Sequence, residues 1–415
     1  MLKRRDNCRL CGSRDVIKIY PMPACAPVDN YRFEDEADVN LPAFPMDLYQ
    51  CRACGHAQLL DVVDPKILFG NYIYTSSSSP DLDAHFTAYA NRVIDYVKLG
   101  DGSFVIDVGG NDGLFLSKFM GRGINLQIVD PAEKATEIAK GRGIPTIVSF
   151  LNEETCTQIR DQKGLADVVS ANNVYSHSDD LIGFTRCVKG MLKPDGVFVF
   201  EVSYLRDLVE KKVIDYVYHE HLAHHSVKPF KTFFESLDMI LFDVERVAVK
   251  GGSIRCYAAL KGSQWTERPA IQAAIDAEES LGLYGDKAYS DLKREMDALG
   301  DKTRQVLQST IEKGGTVASY GASATATVLN AMFDINKYFS FIVDDNAARQ
   351  GRLSPGVKIP VVSNSEFHAK MPTVTFISSW RFADMIIARN QAYLDNGGKF
   401  ITPLPEFRII EKASK

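Results

Sequence analysis

The chain has 415 residues, is 45% apolar and 24% charged, and carries a formal charge of −5. That length exceeds one ordinary core and allows two or three domains, while the mildly negative charge gives no basic face for DNA or RNA. No apolar run of about 18 residues could cross a bilayer, and none follows the basic N-terminus, so the expectation is a cytoplasmic protein with neither nucleic acid nor membrane as partner.

Residues 1–75 are broken by Pro21, Pro23, Pro27, Pro42 and Pro45, and show no obvious core of their own. Two C-x-x-C pairs stand in this region, "CRLC" (Cys8, Cys11) and "CRAC" (Cys51, Cys54), each followed by glycine. The two-residue spacer turns both thiolates toward one ion, and four thiolates fill a tetrahedral zinc, so the metal is expected to be structural Zn2+ rather than catalytic. A redox dithiol would need one pair, not two. His56 reads as a neighbour of this site, and the metal as the staple of a segment that apolar burial alone would not fold.

From 76 to 285, short β-rich runs ("SFVIDVGG", "NLQIVD", "ADVVSAN", "GVFVFEVS") alternate with amphipathic stretches, predicting an α/β fold with a central doubly wound, Rossmann-like sheet. After its first strand the chain reads Asp107, Gly109, Gly110, Asn111, Asp112, Gly113. The glycines admit a ligand close to the backbone, but the spacing is not G-x-G-x-x-G, and the acidic strand end is out of place beside a pyrophosphate. S-adenosylmethionine, with its sulfonium, amino group and ribose hydroxyls, suits such a turn. Asp130, at the tip of the second strand, is placed to take the ribose, and Asn172 and Asn173 end a fourth strand at the same edge.

The run Tyr216–His225, "YVYHEHLAHH", holds four of the eight histidines. A metal site, a proton-transfer site and a solvated loop are all open from composition, although His221 and His225 have no evident third ligand. Residues 286–313 read as a linking helix. A second, C-terminal Rossmann-like unit follows, in which "YGASATAT" leaves a strand and opens a helix whose amides could hold phosphate. The division expected is therefore 1–75, 76–285 and 286–415.

Taken in order, the cysteine pairs, "YIYTSSSS", "VIDVGGNDG", "NNVYSHSDD", "YHEHL", "KGGSIRCY", "YGASATA" and "PGVKIPV" resemble the sugar C-methyltransferases that act on nucleotide-linked 4-keto deoxysugars, over nearly the whole chain. The resemblance implies a zinc-bearing N-terminal domain, a central cofactor domain and a C-terminal α/β domain that helps bind the nucleotide sugar. It places Tyr72, His177, Tyr218, Glu220 and His221 around the reacting sugar; Tyr74, Ser76, Trp380 and the Tyr320, Gly321 and Ser323 turn are expected on the substrate, with the phosphate contact made by that turn or instead by Lys250, Arg255 or Arg381. Relatives carry lysine and glycine where this chain has Thr325 and Ala326, and Trp-Asn-Phe where it has Trp380, Arg381 and Phe382.

Methylation at carbon 3, beside the 4-ketone, needs an enolate, hence a base within about 3 Å of the proton and a donor for the oxyanion. His221 is the expected base, with a nearby carboxylate raising its pKa; Glu220 orients substrate or a neighbouring group, Tyr218 or Tyr72 supplies a phenol, and His177 is the rival base. An O-methyltransferase would need no such proton, and a non-catalytic nucleotide-sugar-binding protein would need neither the cofactor loop nor the Y-H-E-H set.

Overall fold

The computed structural model describes residues 1–36, 42–69, 75–79 and 81–412. Its centre is a seven-stranded sheet. In spatial order the strands are Thr146–Ile147, Asn125–Val129, Phe104–Val108, Ala166–Asn172, Leu192–Ser203, Ser253–Leu260 and Met239–Val247. The first five run parallel and the last two pair antiparallel. Every residue of Phe104–Val108 is buried, as a strand covered on both faces must be. One face packs on Leu82, Phe86, Tyr89 and Val93 of the Leu82–Val97 helix, and the other on Tyr175, Phe184, Phe230 and Phe234.

A six-stranded sheet forms the C-terminal unit, in the order Val361–Val362, Ile342–Val343, Val317–Tyr320, Val374–Ile377, Lys399–Thr402 and Arg408–Ile410, the last antiparallel. In both sheets the strand order turns back beside the first strand in sequence, so the loops after Val108 and Tyr320 open into equivalent crevices.

The N-terminal segment departs from its sequence reading. It builds a four-stranded antiparallel sheet from Val16–Tyr20, Leu48–Cys51, Ala57–Leu59 and Ala223–His224. Tyr20, Met22, Val28, Leu48 and Leu59 share one apolar cluster with Tyr289, Leu292 and Met296 and with Val317 and Phe376. Apolar burial therefore supports this region beside any metal; the proline-broken sequence hid it because the partners lie far along the chain. The Asp286–Glu312 helix buries Tyr289, Leu292, Met296 and Leu307. It is a packed core element joining the N- and C-terminal units, with Ile311 exposed in its last turn.

Candidate functional site

The two cysteine turns meet. Gly12 and Gly55 take positive φ (73° and 84°), which lets their amides return to the carbonyls of Cys8 and Cys51 at 3.0 and 2.8 Å. Sγ of Cys8 lies 3.6 Å from that of Cys54, and Sγ of Cys11 lies 3.5 Å from that of Cys51. All four sulfurs fall within 4.8 Å of one another. A tetrahedral zinc with bonds of about 2.3 Å sets its sulfurs about 3.8 Å apart, so the donor set fits zinc and leaves no open position. His56 stands outside the four.

Around the glycine loop, Asp107 is buried at the end of its strand, accepts from Ser170 Oγ at 2.6 Å, and is pushed up to about 7 by burial. Asp130 accepts the amides of Asn111 and Ala132 at 2.9 and 2.7 Å, which locks the loop to the second strand tip. A Cβ at Gly109 would run into Val174, and its φ of +69° suits glycine alone. At Gly110 a Cβ would meet Ile128 at 2.9 Å, and at Gly113 Ile144 at 2.9 Å, so the loop lies flat on the sheet edge. The side chains of Asn111 and Asp112 accept the amides of Ser76 and Ser77, both at 2.9 Å, pinning the serine turn over the loop. Asn172 Oδ1 accepts from Tyr89 at 3.1 Å, and the Asn173 amide donates to Glu201 O at 2.8 Å. An acidic, backbone-lined crevice of this kind fits S-adenosylmethionine.

The Y-H-E-H run sits where the central, N-terminal and C-terminal units converge. Ala223 and His224 join the N-terminal sheet, and His219 donates to the Phe44 carbonyl at 3.0 Å. His221 donates Nδ1–H to the Tyr216 carbonyl at 2.7 Å, so in the neutral ring the lone pair belongs to Nε2. Its ring lies 4.1 Å from that of Tyr218 and 5.2 Å from that of His177, centroid to centroid. Burial, opposed by the Tyr216 carbonyl and joined by the Lys250 charge, pulls His221 down to about 4. The expected rise caused by a carboxylate is thus corrected. Glu220, itself buried and facing the charge of Asp29, is pushed up to about 8. Lys250 bears on both His177 and His221.

Other predicted substrate residues are held differently. Trp380 Nε1 and Arg381 both reach Asp215, at 3.0 and 3.1 Å, and Arg381 lies over the Tyr216 ring at 4.8 Å, so together they brace the turn leading into Y-H-E-H. Arg255 is buried and paired with Glu201 at 2.7 Å and Glu245 at 2.9 Å. In the C-terminal unit Gly321 has φ +108°, Ser323 Oγ caps the Ala324–Met332 helix on the Ala326 amide at 3.2 Å, and Tyr320 bonds Asp345 and Asn364 at 3.1 and 2.8 Å. Ser76 lies in the serine turn; Tyr72 and Tyr74 lie outside the described residues. Asp215 and Asp29 escaped the sequence reading because isolated acids carry no motif. Asp344 did too, although it stands at the tip of its strand as Asp130 does, and accepts the amides of Ala322 and Asn346 at 2.6 and 2.8 Å. No described helix is long and apolar enough to cross a membrane.

Three family models match the chain: a "Putative zinc binding domain" over residues 8–69, a "Methyltransferase domain" over 84–237 and a "C-methyltransferase C-terminal domain" over 248–405. Among solved structures, the magnesium protoporphyrin IX methyltransferase of Synechocystis PCC 6803 covers 43% of this chain and 83% of its own, at 13% identity and a TM-score of 0.35. The plantazolicin methyltransferase BpumL covers 45% of this chain and 88% of its own, at 14% identity and a TM-score of 0.35. Both likenesses are too loose to bear on ligand or mechanism. The C-methyltransferase NovU of Streptomyces niveus is 30% identical over 410 residues, 99% of this chain and 98% of that one. S-adenosylmethionine and zinc are the cofactors that the two sites fit, and the chain belongs to the C-methyltransferase family.

Proposed function

We propose that the protein methylates carbon 3 of a nucleotide-linked 4-keto deoxysugar through an enolate. The observation that carries this reading is the tautomer of His221: Nδ1 is committed to the Tyr216 carbonyl, which leaves Nε2 as proton acceptor beside Tyr218, His177 and Lys250. S-adenosylmethionine, when bound on the glycine loop, supplies an electrophilic methyl group. His221 Nε2 takes the proton from the carbon beside the ketone. The Lys250 ammonium and the Tyr218 phenol stand near the histidines to meet the growing oxyanion. Lowered to about 4, His221 is unprotonated at neutral pH, available though weak; bound substrate anion raises its basicity in the complex. Glu220, near 8, is protonated at neutral pH and serves as a hydrogen-bond donor to the sugar. Asp107, Asp130 and the loop amides hold the cofactor, and Tyr320, Gly321 and Ser323 face the nucleotide at the second crevice. The domain division of the sequence reading, 1–75, 76–285 and 286–415, assigns zinc, methyl donor and nucleotide to successive units.

NovU, named a C-methyltransferase, supports transfer to carbon. The test is incubation with nucleotide-linked 4-keto deoxysugars and S-adenosylmethionine, locating the new methyl by NMR. A methyl on carbon 3 is expected; a methyl on oxygen, or none on any ketosugar, overturns the reading.

A further inference from the structure

The turn that carries His177 is held from outside its own domain. Of the two acids that follow it, Asp180 caps the Leu181–Met191 helix, accepting the Gly183 amide at 2.8 Å. Asp179 turns the other way, to the N-terminal unit. There its Oδ1 accepts from Arg5 Nη1 at 2.9 Å and from Arg9 Nε at 3.2 Å, and its Oδ2 lies 3.4 Å from Lys3 Nζ. Arg5 also donates to the Asp179 carbonyl at 3.0 Å. Burial alone would raise Asp179, but the Arg9 and Arg5 charges outweigh it and hold the carboxyl below its ordinary value.

Arg9 stands inside the first cysteine turn, between Cys8 and Cys11, and its side chain is fully buried. Burial pulls it down to about 10, so it stays charged at neutral pH. Its amide and its Nη1 both donate to Gln58 Oε1, at 3.0 and 3.2 Å, and Nη1 also donates to the Leu59 carbonyl. Gln58 and Leu59 belong to the strand that pairs with Ala223–His224, and the Leu59 amide donates to the Leu222 carbonyl at 3.0 Å. One arginine therefore grips both members of the histidine pair: the His177 turn through Asp179, and the His221 segment through the strand beside it. A buried ion pair is a poor source of net stability next to apolar packing of the same volume; what this one fixes is the placement of two segments far apart in sequence.

We propose that Arg9 and Asp179 are positioning residues that set His177 against His221, 5.2 Å apart ring to ring, so that the cysteine turn bears on the chemistry through them. The kinetic consequence rests on the function proposed above; the structural link does not.

The test compares the full-length, zinc-loaded wild type with Asp179→Ala, Arg9→Met and Asp179→Glu. Amide hydrogen exchange followed by mass spectrometry reads residues 174–180, where the His177 amide donates to the Val174 carbonyl at 2.8 Å, without any substrate. In Asp179→Ala and Arg9→Met this turn is expected to exchange about tenfold faster or more, with zinc content unchanged and S-adenosylhomocysteine affinity within about threefold. With a nucleotide-linked 4-keto sugar both variants are expected to lose about ten- to hundredfold in kcat while KM holds within about threefold, the cost of misplacing a reacting group. Asp179→Glu, which keeps the charge, is expected to recover most of that loss. Unchanged exchange across 174–180 in Asp179→Ala overturns the link, and unchanged kcat overturns its role in the reaction. Loss of S-adenosylhomocysteine binding in step with kcat would mark a disturbed domain and overturns that role too. A wild type inactive on every ketosugar would sink the proposed function, while the exchange measurement still decides whether the link exists. Should Arg9→Met not fold, Asp179→Ala, at a side chain 28% exposed, decides by itself.

Discussion

His221 and His225 stand four positions apart and do different work. At His221 a carbonyl takes Nδ1, and the proton transfer proposed above falls to Nε2. His225 is fully buried, stacked 4.4 Å from Phe230 and 5.5 Å from His56, and among the described residues neither of its nitrogens has a partner. Burial and the neighbouring histidines pull its pKa well below the usual value. The unfolded chain therefore takes up a proton below about pH 6.5 that the folded chain refuses, and stability falls as pH drops below that point. His56, His177, His219, His221 and His224 are lowered too and add to the same slope. His225→Phe, an apolar ring in an aromatic stack, is expected to hold or raise the melting temperature at pH 7.5 and to lose less of it than wild type between pH 6.5 and 5. The wild-type comparison cancels the cysteines' own acid sensitivity. A drop of more than about 5 °C at pH 7.5 would show that the ring nitrogens hold something the fold requires.

The loops after Val108 and Tyr320 share one construction. In each, a glycine amide returns to the end of the second strand (Gly109 to Val129, 2.7 Å; Gly321 to Val343, 2.8 Å), and a carboxylate at that strand's tip, Asp130 or Asp344, clamps the loop. Neither glycine tolerates a side chain: Gly109 abuts Val174 and Gly321 abuts Ser379. Gly109→Ala is expected to weaken S-adenosylhomocysteine by about tenfold or more, from backbone strain and displacement of the loop. Gly321→Ala is expected to raise KM for the nucleotide sugar and leave S-adenosylhomocysteine binding within about twofold. Calorimetry and steady-state kinetics separate the two, and the reverse pattern would exchange the ligand assignments. These loops, like the C-x-x-C turns, were legible in the sequence because strand, glycine and helix are contiguous. The side-chain partners of Arg255, Trp380 and Arg381 were not. Those partners, Glu201 and Asp215, lie 54, 165 and 166 residues away, and no local pattern shows whether an arginine meets a ligand or a buried carboxylate.

Two Rossmann-like units and a metal knuckle were legible in the sequence, but the way the N-terminal segment is held was not. Tyr20, Leu48 and Leu59 find their apolar partners on the helix that begins at Asp286, a contact no proline count or short-range period reveals. The metal then has a narrower task than stapling the whole segment. Stripping zinc with a strong chelator is expected to lower the melting temperature by several degrees or more, and to open the turns at Cys11 and Cys54 to proteolysis while most of the β signal in circular dichroism remains. An unchanged melting temperature in a preparation shown to be metal-free would contradict a structural role.

His221 is proposed to remove a proton from the carbon that receives the methyl. The most direct test is solvent-deuterium exchange in a nucleotide-linked 4-keto sugar incubated in D2O with enzyme and S-adenosylhomocysteine, so that no methyl can be transferred. Wild type is expected to wash deuterium into carbon 3, and His221→Asn to slow that exchange by about 10²- to 10⁴-fold while still binding S-adenosylhomocysteine. Absence of exchange in wild type, or exchange undiminished in His221→Asn, would contradict the account.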